Sequence, residues 1–383
     1  MVGHLATVLA RRGVQAVHEH APKDPKEVLN HIPGWGIALL LFTAVGFIVF
    51  SSTLEYSIRL VMGTLAMVES TETTTFEAFS TAPPAYSDED TRDMKKDGQA
   101  PLLEVEIQTI TTGKPITSSI HRTMEHIQSV GGCAARWRGV GIFVIYVSLT
   151  TLISAPLTSF LRFLPKPCNG IFADMIASVV TARLHANWTH KVISMPSSKS
   201  IRERMLSRAQ WKELMIPTAL SMGAQTTGVC AIALVFRVSG MLVHDLHQND
   251  AAPKWTLPIL AIVPGTLTSI ILGLFMMFPA YVSLVRKEAS MLPQEEETIV
   301  NFDRSFGGRL TQAGTAATLR ESWQSFTWEA RRRLIKVYLK FFFIMSAVTL
   351  VFVHVLLLEL YIVAGKEVKD YARSVHQEIK RAL

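Results

Sequence analysis

The sequence predicts an all-α integral membrane bundle, and three observations lead there. Of the 383 residues, 49% are hydrophobic and only 18% are charged, against about 25% charged in soluble domains. The apolar residues gather in long blocks with the charges between them, whereas a soluble chain breaks them into short periodic patterns. Six of these blocks meet or approach the ~20 apolar residues that a helix needs to cross a hydrocarbon core.

The first expected span begins at Trp35 and Gly36 and covers 37–68, its second half marked by polar residues. The others cover 140–161, 171–193, 215–235, 257–285 and 337–364. The third is the most interrupted, by Asp174, Arg183, His185 and His190. Backbone groups in lipid must be satisfied internally, so each block is expected to be helical. A polar tail, 1–34, precedes this membrane domain, and a basic tail, 366–383, follows it. Arg11 and Arg12 without an acid before Glu19 leave a mitochondrial presequence open beside the plain reading of a polar tail.

Between the spans, 70–100 is rich in Ser, Thr, Pro and acid and reads as a flexible loop. Over 117–130, Ile120, Met124, Ile127 and Val130 recur at helical spacing against His121, Arg122, Glu125 and Gln128. That pattern predicts an amphipathic helix ending at Gly131-Gly132 and lying along the membrane surface. A second surface helix is expected over 319–336, where Trp323, Phe326 and Trp328 accompany Arg331, Arg332 and Arg333.

Charge bounds the partners. The net charge is +7, and the Lys and Arg residues concentrate in the loops after the first, third and fifth spans. By the positive-inside rule these odd loops share one side of the membrane, with both termini opposite. The expected partners are therefore membrane lipids. No zinc spacing, helix-turn-helix pattern or basic stripe interleaved with aromatics points to nucleic acid. Cys133, Cys168 and Cys230 are far apart and odd in number, which argues against a disulfide framework. No metal or cofactor is expected, because His185 and His190 lie five apart with no acid or cysteine in a ligand pattern. No nucleophile elbow, His-Glu-x-x-His or phosphate-cradling loop suggests an enzyme.

The ends of the odd spans resemble one another. Ser52 to Arg59, Pro196 to Arg204 and Pro279 to Arg286 each run from a small or proline residue through about two helical turns to a base. Gly131-Gly132 and Gly307-Gly308 then precede a further segment and the next span. In these features the chain resembles a mitochondrial carrier, a solute-carrier family of three two-span repeats. It also resembles multi-span membrane proteins of filamentous fungi in the segments around 193–199 and 297–306. The carrier resemblance implies a six-span bundle of three pseudo-repeats, surface helices in the odd loops and alternating-access transport. It also implies the mitochondrial inner membrane as location, with another intracellular membrane or the plasma membrane as alternatives. Pro279 with Arg286, Pro196 with Arg202 or Arg204, and Arg138-Gly139 carry the match. The chain departs from the family at the acid two residues after each proline, where Ser198 and Tyr281 stand, and its first repeat has Glu55 and no proline.

Ionisable residues inside spans are costly and become functional candidates. Glu55 and Arg59, one turn apart, form either part of a gate or a surface pair. Asp174 and Arg183, nine residues apart, line a cavity or mark an interfacial span. Lys199, Arg202 and Arg204 are the basic positions after Pro196, and Gln225, Thr226 and Thr227 within the fourth span either hydrogen-bond between packed helices or meet a solute. Pro196 and Pro279 are expected helix kinks. Arg59, Arg202 or Arg204, and Arg286 would ring one mouth of the bundle and attract a small anionic solute. Two functions follow as expectations: a carrier-like transporter, or a non-transporting scaffold or receptor that keeps such a fold without a working gate.

Overall fold

The computed structural model describes residues 33–70, 115–249, 256–304, 306–307 and 317–363. The loop 71–100 and most of both tails lie outside them. Among the described residues the chain is helical, with one isolated antiparallel bridge between Ser194 and Thr298. Helix α1 runs through Gly34–Val68, α2 through Ile120–Gly131, α3 through Val140–Phe160 and α4 through Cys168–Ile193. Helix α5 spans Arg208–Gln248, α6 covers 257–290, α7 is Leu319–Gln324 and α8 is Trp328–Val363.

Five of these, α1, α3, α5, α6 and α8, are long and apolar enough to cross a membrane. Their apolar stretches have almost no protein cover; Phe42 and Phe275 are 78% and 79% exposed. Six such helices were expected. The sixth, α4, is interrupted by Asp174, Arg183 and Lys191, and many of its residues are buried against neighbours. The expected surface helix over 319–336 also divides: α7 stops at Gln324, and Trp328 already opens α8.

Local chemistry sets these boundaries. Ser207 and Gln210 form a capping box at the start of α5, and Thr318 and Glu321 form one at α7. Helix α2 ends at Gly132. Gly139 takes a left-handed φ of 77° in the turn that launches α3, a conformation that glycine tolerates without steric cost. Helix α4 stops at Ile193, so Pro196 lies in the following connection and kinks no helix. Pro279 does lie within a helix. It follows a π-helical segment, Gly273–Met277, that divides the two α-helical parts of α6. A wider turn there eases the clash that proline otherwise makes with the preceding turn. Helix α1 has its own π-helical segment, Glu55–Met62, without proline.

The chain forms two compact units. In the first, 1–63 with 334–383, α1 and α8 pair antiparallel. Phe47 stacks on Phe352 with ring centroids 3.9 Å apart, and Thr43 donates to Glu359 Oε1 at 2.6 Å. A Cβ on Gly36 would lie 2.3 Å from Val363, so only glycine allows this approach. Lys366, close to Glu359 at helical spacing in the sequence, lies outside the described residues.

The second unit, 64–333, contains α2 to α7 and a headpiece where the odd connections interlock. Met195 N–H donates to Glu297 O at 2.8 Å, Ile299 N–H to Ile193 O at 2.9 Å, and Ser70 N–H to Asn301 O at 2.8 Å. His126 of α2 lies 2.9 Å from Ile299 O and donates to it. Glu69 accepts from Ile116 N–H at 2.6 Å and from Thr117, while Arg333 donates to Glu69 O at 2.9 Å.

Arg286 is the centre of this headpiece. Its guanidinium is buried and donates to Ser322 O at 3.0 Å, Met67 O at 2.7 Å and Ser325 Oγ at 2.9 Å. It also lies over the rings of Phe306 and Phe326, 5.0 and 5.6 Å from their centroids. Phe306 is held at φ 54°, a region that bulky residues rarely enter.

Arg286→Ala should therefore strand buried carbonyls at about 1–3 kcal/mol each. Arg286→Lys keeps the charge and loses the fork, so it should fall between wild type and Ala. Thermal unfolding of the purified protein in detergent, followed by tryptophan fluorescence, checks the order. Equal stability of all three proteins would contradict a clamping role.

Candidate functional site

Helices α3 and α4 are antiparallel neighbours joined by the short connection 161–167. Their facing residues form a ladder. Ser154 donates to Asp174 Oδ1, and the Thr150 and Thr181 hydroxyls lie 2.9 Å apart. The Tyr146 and His185 rings are 5.1 Å apart, and those of Phe143 and Trp188 are 5.4 Å apart. At the headpiece end Arg138, just before α3, donates to Lys191 O at 3.0 Å and to Ser194 O. Those carbonyls belong to the C-terminal end of α4, where a cation is favourable.

Two further helices complete the site. Thr226 of α5 donates to Asp174 Oδ2 at 3.1 Å. Glu288 of α6 is fully buried. Its Oε1 meets His185 Nδ1 at 2.7 Å and its Oε2 accepts from Thr189 at 2.6 Å. The Glu288 carbonyl accepts from His190 Nε2 at 2.8 Å. The polar line thus has two ionisable ends: a carboxylate on the apolar side and a His–Glu pair beside the headpiece. Among the described residues no group of His, Cys, Asp and Glu could hold a metal ion.

The other sequence candidates have separate local partners. Glu55 and Arg59 pair with each other on the half-exposed face of α1, in the first unit. Arg183 donates to Leu206 O, and Gln225 donates to Ser221 Oγ of its own helix at 3.3 Å. Arg204 is buried and donates to Ser194 Oγ, Ser197 Oγ and Glu296 Oε2 at 2.9, 2.7 and 3.0 Å. Lys199 meets the other Glu296 oxygen at 3.0 Å, and Arg202 is exposed. Arg204 and Arg286 are therefore both satisfied by protein groups. Asn187 is fully buried and donates to Ile201 O at 2.8 Å.

Sequence reasoning named Asp174 and His185, and Thr226 as a residue that bonds between helices or meets a solute, but missed Tyr146, Thr150, Ser154, Thr181 and Glu288 as the rest of the ladder. A signal was present. Positions 143, 146, 150 and 154 share one helical face, as do 174, 178, 181, 185 and 188. Apolar content alone hides that stripe.

Compared with known protein families, curated proteins and solved structures, the chain matches none. The fold defines it as a helical protein with several helices able to span a membrane.

The ladder predicts graded costs. Thr150→Val removes one interhelical hydrogen bond, worth about 0.6 kcal/mol between membrane helices. Glu288→Ala leaves His185 and Thr189 without their partner beside a buried void, and should cost more, about 1–3 kcal/mol for each stranded group. Denaturant titration of the two variants tests the order; a larger loss for Thr150→Val would contradict it.

Proposed function

We propose that the chain is a multi-pass protein crossing the membrane six times and acting as a carrier-like solute transporter. The sixth crossing is α4. Helix α3 has 21 residues, about 31 Å at 1.5 Å per residue. The ladder keeps α4 in register with α3 from Ser154 to Arg138. A helix paired along its neighbour in this way crosses wherever the neighbour does. Surface helices α2 and α7 after the first and fifth spans support the three-pair, carrier-like plan.

The observation that carries transport is Asp174. A carboxylate set within apolar helices is costly in hydrocarbon and marks solute or ion pathways. Arg204 and Arg286 are already partnered, so the anionic solute expected from an open arginine ring loses its support, and no solute charge is assigned from them.

One observation favours the second reading, a scaffold or receptor without a working gate. Arg286 ties Met67 to Ser322 and Ser325, and an alternating-access cycle has to part such helix ends. The carrier resemblance makes the mitochondrial inner membrane the first location to examine with a fluorescent tag.

Two measurements test the proposal. In sealed vesicles a membrane-impermeant maleimide should reach Cys133, which is exposed, and a cysteine in Ser197→Cys from the same side. Phe163→Cys should react from the other side, each cysteine being assayed with the remaining native ones replaced. Labelling of Ser197→Cys together with Phe163→Cys would remove the α4 crossing. In proteoliposomes, exchange of at least one labelled metabolite class above empty liposomes is expected. No exchange with this topology intact selects the scaffold.

A further inference from the structure

We propose that Asp174, Ser154 and Thr226 form a binding site for a monovalent cation in the middle of the helical bundle. The inference rests on the membrane-spanning reading of α3 to α5, and it does not require that transport of any particular solute be observed.

Depth comes first. Helix α5 carries no charged residue over 214–236, between Glu213 and Arg237. That stretch is about 35 Å long at 1.5 Å per residue, enough for the hydrocarbon core. Thr226 lies one residue from its centre, and it reaches Asp174 at 3.1 Å. Ser154 lies in α3, which has no charged residue over Val140–Phe160. The carboxylate therefore lies within the hydrocarbon thickness on this reading, six residues or about 9 Å from the connection end of α3 and α4.

The missing counter-charge comes second. Neither α3 nor the 214–236 stretch of α5 presents a base to Asp174; their only titratable side chains are Tyr146 and Cys230. On α4 itself the nearest base is Arg183, nine residues away, or about 13 Å along the axis, and it is directed to Leu206 O. His185 lies still farther along and is taken by Glu288. In the connection, Lys166 is eight residues before Asp174 and Arg162 eight beyond Ser154, and neither forms an ion pair with Asp174 among the described residues. The charged residues of α6, Arg286, Lys287 and Glu288, are at its headpiece end. Among the described residues Asp174 enters no ion pair. An uncompensated charge in hydrocarbon is unstable, so the site calls for one positive charge, a bound cation or a proton, and the two hydroxyls beside the carboxylate favour the cation.

The ligand set comes third. Two carboxylate oxygens and two hydroxyl oxygens converge from three helices. Each hydroxyl now points its hydrogen at the carboxylate. Rotation about Cβ–Oγ offers a lone pair instead, so that each hydroxyl can join the carboxylate oxygen beside it as a ligand. Hard cations take oxygen ligands, and one carboxylate neutralises one charge. A divalent ion would keep a net positive charge there, and neither α3 nor the 214–236 stretch of α5 carries an acid to offset it. The ammonium group of a small solute shares this charge chemistry, and the experiment separates it from a free ion.

The test is thermal unfolding of the purified full-length protein in detergent at constant ionic strength, with choline chloride replaced stepwise by lithium, sodium or potassium chloride. A parallel arm uses methylammonium. A saturating rise in unfolding temperature is expected for one inorganic cation over choline, and it should vanish in Asp174→Asn. Thr226→Val should weaken half-saturation about tenfold, as expected for one lost oxygen ligand of hydrogen-bond worth. If Asp174→Asn does not fold, the pair Ser154→Ala and Thr226→Val provides the same reading. The proposal is overturned if no inorganic cation exceeds choline, or if the rise survives in Asp174→Asn or, where that does not fold, in the Ser154→Ala and Thr226→Val pair. A rise given by methylammonium alone, or by acidification in choline alone, overturns the inorganic-ion assignment. Absence of metabolite exchange in proteoliposomes leaves these outcomes untouched.

Discussion

A buried guanidinium, held mainly by carbonyl and hydroxyl oxygens, ties the headpiece together. Arg286 reaches a carbonyl at the end of α1 and two groups around α7, and two phenyl rings close over its faces. These segments are separated by more than two hundred residues, yet a single planar fork satisfies them. A lysine has no such fork. Glu288, two residues on, faces α4 instead. One short stretch of α6 therefore binds the end of the first helix, the end of α4 and the segment leading into α8. The remaining headpiece contacts, such as Arg204 with Glu296 and Glu69 with Thr117, lie around this centre.

Much of the helical plan was legible in the sequence. The blocks at 37–68, 140–161 and 257–285 each fall within a helix of nearly the same extent, because long apolar runs leave the backbone no alternative in lipid. The amphipathic segment ending at Gly131-Gly132 also forms the expected helix. Less legible was α4. Its Asp174, Arg183 and His185 weaken the apolar signal, and their meaning depends on which neighbour they face. Pro196 misled for a related reason: proline marks either a kink or a helix end, and only the bridge from Ser194 to Thr298 decides for the end.

The site was half legible. Asp174 and His185 could be named because an ionisable residue in an apolar block is visible in one dimension. Their partners on α3 are two hydroxyls and a phenol, which occur in any helix. Glu288 was hidden by its position beside Arg286 and Lys287, where it reads as one more charge at a span end. The pairing of α1 with α8 was also invisible, since both are apolar all round and nothing in their composition selects a partner. Gly36 and Thr43 become informative only once Val363 and Glu359 are known to oppose them.

The ladder between α3 and α4 bears on how such a protein could be made. On the six-crossing reading, α4 would be a poor passenger on its own, because an aspartate and an arginine must enter lipid with it. Beside α3 the aspartate has a hydroxyl to meet it from the start. The seven-residue connection, 161–167, is short enough for the two to enter a membrane together as one hairpin. Helix α3 would then act as the escort that lets a marginal helix pass, whichever membrane receives them.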